Sequence, residues 1–235
     1  RQRQMCIRDR YGSNIRVATL LGSTPEHYIL KLALNKIGIS VVPIKPDYAP
    51  DETSYLLEDS GAIMAICSEV FLSQPEIAIE LKSLPVPIVT YEEIDSLPRS
   101  QIVSRGVHIE GSTEASLLYT SGTTGRPKGC MLSHEYELMC GDVYANIGAP
   151  ISLSFGQDKI LNPLPSYHIN AGIVTFFAAM ITGNSLIQPE RFSISNWWKD
   201  IKETEATIFH YLGAVSYTHL RAHETREDRV WRLVG

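Results

Sequence analysis

The chain has 235 residues, 44% hydrophobic and 20% charged, with a formal net charge of −5, a balance that fits one large or two small globular domains and excludes a disordered chain. Its longest strongly apolar run, Ala171 to Ile181, is about half of the roughly 20 residues a spanning helix needs; with no charged-then-apolar leader, a cytoplasmic protein without a membrane span is expected. Cys6, Cys67, Cys130 and Cys140 form neither a C-x-x-C pair nor a dense framework, which reads as reduced thiols rather than disulfides or zinc.

In chain order, the first ten residues, "RQRQMCIRDR", hold four of the 13 arginines, and residues 216–235 hold four more. Both ends resemble translated sequencing-adapter read-through, so 1–10 and 216–235 are expected to be artefactual tails flanking a domain over 11–215. An arginine-rich nucleic-acid-binding or transit segment is the alternative, but neither end interleaves aromatics with a basic patch. Without the tails, 13 basic residues face 22 acidic ones, which argues against a nucleic-acid partner.

Within 11–215, "RVATLLG" reads as a buried strand. A helix over "STPEHYILKLALNKIG" follows, with Ser23 or Thr24 as N-cap, Pro25 in the first turn, Ile29, Leu32, Ala33 and Ile37 on its apolar face, and Gly38 as the stop. "ISVVPI" predicts a strand, "PDETSYLLEDSG" a helix ending at Gly61, "AIMAIC" a strand, "PEIAIELKSL" a helix and "VPIVTY" a strand. A polar linker over 96–114 marks a possible subdomain break. Beyond it come the strand "ASLLYT", a loop, a helix from Ser133 to Ile147, the strand "KILNPL" and the helical "AGIVTFFAAMITG". The strand "SLIQP", the helix "SISNWWKDIKETE" and the strand "ATIFHYL" complete the pattern, with Trp197 and Trp198 expected on one helix face against the core. The alternation predicts an α/β fold with mostly parallel sheets covered by helices.

The loop between "ASLLYT" and the next helix carries the chemistry. In "YTSGTTGRPKG", Tyr119 to Gly129, the glycines Gly122, Gly125 and Gly129 permit turns that bring backbone N–H groups close to an anion. Thr120, Ser121, Thr123 and Thr124 add hydroxyl donors, and Lys128 adds a full positive charge. Set after a strand, where open α/β sheets place their ligands, this reads as a polyphosphate cradle; a ligand-free glycine-rich turn is the plain alternative. The spacing does not fit the Walker pattern, because Pro127 precedes the lysine and Gly129 follows it.

"YTSGTTGRPKG" resembles the phosphate-loop signature of the adenylate-forming, AMP-binding superfamily of acyl-CoA synthetases, peptide-synthetase adenylation domains and luciferases. The likeness extends over roughly 11–215: "RVATLLGSTPEHYILKLALNKIGISVVPIKPDYAPDETSYLLEDSGA" is similar to the family's N-terminal subdomain and "LNPLPSYHINAG" to its next core motif. "ERFSISNWWKDIKETEATIFHYLGAV" most resembles acyl-CoA ligases of the crotonobetaine/carnitine-CoA ligase type. The resemblance implies a two-step reaction: ATP and a carboxylic acid give an acyl-adenylate, and coenzyme A then displaces AMP. It assigns the ATP phosphates to Thr120, Ser121, Gly122, Thr123, Thr124, Gly125 and Lys128. His168 in "PSYHIN" is implied as the residue that positions the substrate carboxylate, with Tyr167 and Asn170 beside it. Gly172, His210, Tyr211 and Gly213 border the same cavity in this reading, although His210 and Tyr211 equally fit buried strand positions. Amino-acid-activating relatives usually carry an aspartate where His168 stands, so a plain carboxylic acid is favoured over an amino acid. A peptide-synthetase-type adenylation domain, a luciferase-like enzyme or a non-catalytic phosphate-binding module are the alternatives.

Magnesium is expected with ATP, but its ligand, the adenine and ribose contacts and the lid lysine of relatives have no counterpart in this sequence, and no metal ligand is named here. The chain is therefore expected to be an N-terminal piece that does not turn over by itself.

Overall fold

The computed structural model describes residues 15–73, 86–96, 108–120, 126–148, 152–193, 195–211 and 229–232. The expected helix over 75–84 and residues 1–10 lie outside them. The chain divides into two compact units, Arg1–Tyr136 and Glu137–Gly235.

The first unit alternates β1 (Arg16–Leu20), α1 (Pro25–Lys36), β2 (Ser40–Pro43), α2 (Pro50–Ser60), β3 (Met64–Cys67), the short α3 (Glu69–Leu72) and β4 (Ile88–Thr90), then β5 (Glu114–Thr120) and β6 (Lys128–Ser133). The six strands lie in the order β4-β3-β1-β2-β5-β6. The first five are parallel and β6 runs antiparallel to β5. Strands on either side of the 96–114 segment thus share one sheet. Both faces are covered: Ala18, Leu20, Val42, Ala65 and Cys67 pack with Leu56 and Leu57 of α2, while Val17, Leu21 and Ile66 pack with Leu30 of α1. This accounts for the near-continuous apolar runs of these strands.

Local signals set the helix ends. Pro25 and Pro50 open α1 and α2, where a missing N–H costs nothing. The Glu52 carboxylate accepts the Ala49 N–H at 3.2 Å, and Gly61 closes α2 in the left-handed region at φ 64°, open to glycine without a Cβ clash. Arg16 and Glu114 tie β1 to β5 through two bonds of 2.7 and 2.8 Å, and the Ser40 hydroxyl donates to the same carboxylate at 2.7 Å. Burial alone would push the Glu114 carboxyl up, but the bonds from Arg16 and Ser40 outweigh it and hold the group below its ordinary value.

The buried side of α1 differs from expectation. Ile29 and Ile37 are more than half exposed and Leu32 is also exposed, whereas His27, Tyr28, Leu30, Lys31 and Asn35 are buried. Both sides of this helix carry apolar residues, so the pattern alone is ambiguous, and polar bonds into the sheet fix the rotation. Lys31 Nζ donates to Ser116 Oγ, and Asn35 Nδ2 donates to the Ile39 and Ala115 carbonyls at 3.0 and 2.8 Å.

α4 (His134–Ala145) runs from the end of the first unit into the second. The second unit continues with β7 (Lys159–Leu161), a π-helical turn (Asn170–Thr175), α5 (Phe176–Thr182), β8 (Ser185–Ile187), α6 (Trp197–Thr204), β9 (Ile208–Tyr211) and β10 (Arg229–Arg232). Its sheet has the order β10-β9-β7-β8, with β7 parallel to β8 and β9 and β10 antiparallel to β9. β10 lies inside the segment set apart as a tail, of which 216–228 and 233–235 fall outside the described residues. Ile160 and Ile208 pack with Ala179 of α5, while Leu161 and Phe209 pack with Trp197 and Ile201 of α6. Trp197 is buried and Trp198 is 59% exposed; neighbours on a helix point about 100° apart, so the two tryptophans do not share the expected face. Among the described residues, no helix is long and apolar enough to cross a membrane.

Candidate functional site

The glycine- and hydroxyl-rich loop sits where the sheet geometry puts it, at the C-terminal end of the five parallel strands, but its exit is not the expected one. The chain does not pass directly into a helix; it folds back as β6, so the loop becomes the tip of a β5–β6 hairpin. β6 is an edge strand with four consecutive exposed residues at its start, so it lacks the alternation that marks a strand in sequence. Its register with β5 places Thr120 opposite Lys128, and both residues are exposed. Ser121, Gly122, Thr123, Thr124 and Gly125 lie outside the described residues. A hydroxyl donor and an ammonium donor thus flank the entry to the loop.

The base of the hairpin is held by α2. The Tyr119 hydroxyl donates to Asp59 Oδ2 at 2.7 Å, and the Tyr55 hydroxyl donates to the Pro127 carbonyl at 3.2 Å. The Arg126 guanidinium lies 4.7 Å from the centre of the Tyr55 ring, within cation–π range. Burial, and then the Asp59 carboxylate, push the Tyr119 phenol well above its ordinary value, so it remains a donor. Gly129 stands opposite Tyr119; a Cβ there would come within 3.0 Å of Leu117 Cδ1 and 3.3 Å of Tyr119 Cζ.

The second candidate cluster, around "LNPLPSYHIN", belongs to the second unit. Asn162, at the end of β7, is fully buried. Its Nδ2 donates to Asn170 Oδ1 at 2.9 Å and Thr175 Oγ1 at 2.8 Å, while its Oδ1 accepts the Leu164 N–H at 2.9 Å. One side chain thus ties the start of the loop to both ends of the π-helical turn. Gly172 is required by close approach, since a Cβ would lie 2.0 Å from the Ser166 carbonyl oxygen. On this frame His168 is exposed and Tyr167 half-buried, with their rings 4.9 Å apart at 56°. The His168 backbone is fixed by its N–H on Pro165 O at 3.0 Å and by the Gly172 N–H on its own carbonyl at 2.9 Å. A π-turn inside a helix commonly accompanies a functional position.

His210 is placed differently. It is buried in β9, where its Nε2 shares a hydrogen bond of 2.7 Å with the Tyr144 hydroxyl, and burial lowers its pKa to about 4. The backbone of Tyr211 pairs with Arg229; its side chain and Gly213 lie outside the described residues. Sequence reasoning named Asn170 and Gly172 but missed Asn162, whose signal is a lone amide side chain inside the apolar run "KILNPL".

The family model described as AMP-binding enzyme matches residues 10–232. The chain belongs to this family. Among curated AMP-binding relatives, it is 31% identical over 203 residues to the sulfoacetate–CoA ligase of Cupriavidus necator, covering 80% of this chain and 37% of that one. It is 28% identical over 212 residues to the crotonobetaine/carnitine–CoA ligase of Escherichia coli, covering 82% of this chain and 39% of that one. The fold matches that of the o-succinylbenzoate coenzyme A synthetase of Bacillus subtilis, solved in complex with ATP and magnesium ion, with a TM-score of 0.72 and 23% identity over 94% of this chain and 44% of that one. The chain therefore spans about two fifths of the length of the curated relatives it matches.

Proposed function

We propose that this chain supplies the phosphate-gripping part of an AMP-forming acid–thiol ligase that activates a plain carboxylic acid and transfers it to coenzyme A. The observation that carries this is the register of Thr120 with Lys128 across the mouth of the hairpin, in a chain of the AMP-binding family. In the first step a carboxylate oxygen attacks the α-phosphorus of ATP, the bond to the bridging oxygen breaks, and pyrophosphate leaves. Negative charge approaches negative charge and more builds on the leaving group, so donors that tighten as that charge develops lower the barrier. Thr120 and Lys128 are such donors, together with the loop residues 121–125. In the second step the thiol of coenzyme A attacks the acyl carbonyl, the C–O bond to the phosphate breaks, and AMP is released.

His168 is proposed to position the carboxylate, with Tyr167 beside it and Asn170 beneath. An exposed imidazole near its ordinary pKa donates a hydrogen bond in either charge state. Histidine at this position, in place of the aspartate usual in amino-acid-activating relatives, favours a substrate without an α-amine. His210 is assigned a structural place in β9 rather than a contact with substrate.

The ammonium and hydroxyl donors at the hairpin mouth suit phosphate oxygens and do not suit a magnesium ion. Among the described residues no group of three or more His, Cys, Asp or Glu side chains converges as a metal site, and no step is assigned to the metal.

The test is a ³¹P NMR titration of the purified chain with ATP and, separately, with inorganic pyrophosphate. Saturable binding of both, with the β and γ resonances of ATP perturbed more than the α, is the expected result. Saturation by adenosine with no response to pyrophosphate would remove the phosphate assignment.

A further inference from the structure

The contacts between α2 and the two ends of the hairpin tip have no counterpart in the helix's packing. α2 is already docked on the sheet through buried Leu56 and Leu57. Tyr55 and Asp59 stand one turn apart on the helix, a spacing that places side chains on a common face. One holds Pro127, the residue before Lys128; the other holds Tyr119, the residue before Thr120. Arg126 stacks on the Tyr55 ring from the same side of the tip. Gly129 leaves room for the Tyr119 ring across the hairpin, since any Cβ would press on it. Asp59 is exposed, and an exposed hydrogen bond contributes little to folding. Such a bond still fixes where its donor's backbone lies.

We infer that Tyr55, Asp59 and Tyr119 form a clamp that sets the spacing between Thr120 and Lys128 for a bound polyphosphate, α2 acting as the anchor of the hairpin tip. They are positioning residues, and the inference rests on the phosphate assignment proposed above. With both ends held, the two donors are arranged before the anion arrives, and less ordering is needed on binding. With either end released, the same donors remain but their separation varies.

Pyrophosphate affinity of the purified 235-residue chain and amide hydrogen exchange at Thr120 and Lys128 test this together. Tyr119→Phe keeps the ring over Gly129 and removes only the hydroxyl; Asp59→Ala removes the acceptor; Asp59→Asn retains one. Tyr119→Phe and Asp59→Ala are expected to weaken pyrophosphate binding roughly three- to tenfold, the range one hydrogen bond commands, and to speed exchange at both amides. Asp59→Asn is expected to restore most of the affinity, which a merely structural role would not require. Tyr55→Phe, which keeps the Arg126 contact and frees Pro127, is the second variant should Tyr119→Phe fold poorly. Wild-type affinity and unchanged exchange in Tyr119→Phe, Tyr55→Phe and Asp59→Ala, alongside lost binding in Lys128→Ala, would overturn the clamp and leave the phosphate assignment standing. Equal pyrophosphate binding by wild type and Lys128→Ala, or none by either, would overturn both.

Discussion

Thr120 and Lys128 face each other as a register pair at the open end of an antiparallel hairpin. The ammonium therefore sits on a strand that shares a hydrogen-bonded ladder with the hydroxyl residue, and not on an independent loop. Lys128→Ala is expected to remove about 1.5–3 kcal/mol of charge-assisted hydrogen bonding to a bound phosphate, a loss of roughly ten- to hundredfold in affinity. Calorimetric titration with ATP measures it; an unchanged dissociation constant would place the phosphates elsewhere.

Asn162 has no route to water, and its three bonds are internal to the second unit. Asn162→Leu leaves the Leu164 N–H without its acceptor and Asn170 without its donor, and is expected to cost about 2–4 kcal/mol. Denaturant unfolding gives the number. The ¹³C shifts of His168 should move in the same variant, because the turn that carries His168 is held through Asn162.

Gly172→Ala would drive a methyl group to 2.0 Å from the Ser166 carbonyl oxygen, and Gly141→Ala would place one 2.6 Å from Phe177 Cβ. Backbone lies on the other side of both contacts, so neither is relieved by a rotamer change. Each is expected to cost about 3 kcal/mol or more, at the upper end of overpacking effects. Gly61→Ala, at a left-handed position with nothing within 4 Å, should cost about 1 kcal/mol. Thermal unfolding of the three proteins ranks them.

Acid should loosen the fold before the carboxylates titrate. Burial lowers the pKa of His27 to about 3, helped by Lys31, and that of His210 to about 4. Both lie below the ordinary 6.5 of an unfolded histidine, so the unfolded chain binds protons that the folded chain does not. The stability these neutral histidines contribute is complete above pH 6.5 and declines as pH falls toward 4 and then 3, by at most about 1.4 kcal/mol per pH unit for each. Urea midpoints measured at pH 7, 6 and 5 should decline, and His210→Gln should flatten the decline by about one proton. A midpoint independent of pH over this range would contradict both assignments.

Much of this architecture is legible locally. Pro25, Pro50, Gly61 and Gly183 each act on the backbone where they stand, and α1, α2 and α5 begin or end beside them. β6 was not legible, because its strand character arises from pairing with β5 and not from any pattern of its own. The α1 face was misread for a related reason: Lys31 and Asn35 are buried only because the sheet offers Ser116 and two carbonyls to receive them. Of the candidate site, the motif named its donors at Thr120 and Lys128, but Tyr55 and Asp59 lie far upstream in sequence and could not be connected to it without the fold. Leu32→Ser against Leu30→Ala tests the corrected face: the first should change stability by less than about 0.5 kcal/mol, the second by about 2–4.

The π-helical turn over Asn170–Thr175 has a further consequence for how this region tolerates change. A turn of this kind holds one residue more than the α-helix that follows it, so its length acts as a phase setting between two parts of the chain. Excising a single residue would return the turn to ordinary helical winding and swing whatever precedes it by about 100°. Insertions and deletions here would therefore re-aim the imidazole of His168 while α5 kept its seat.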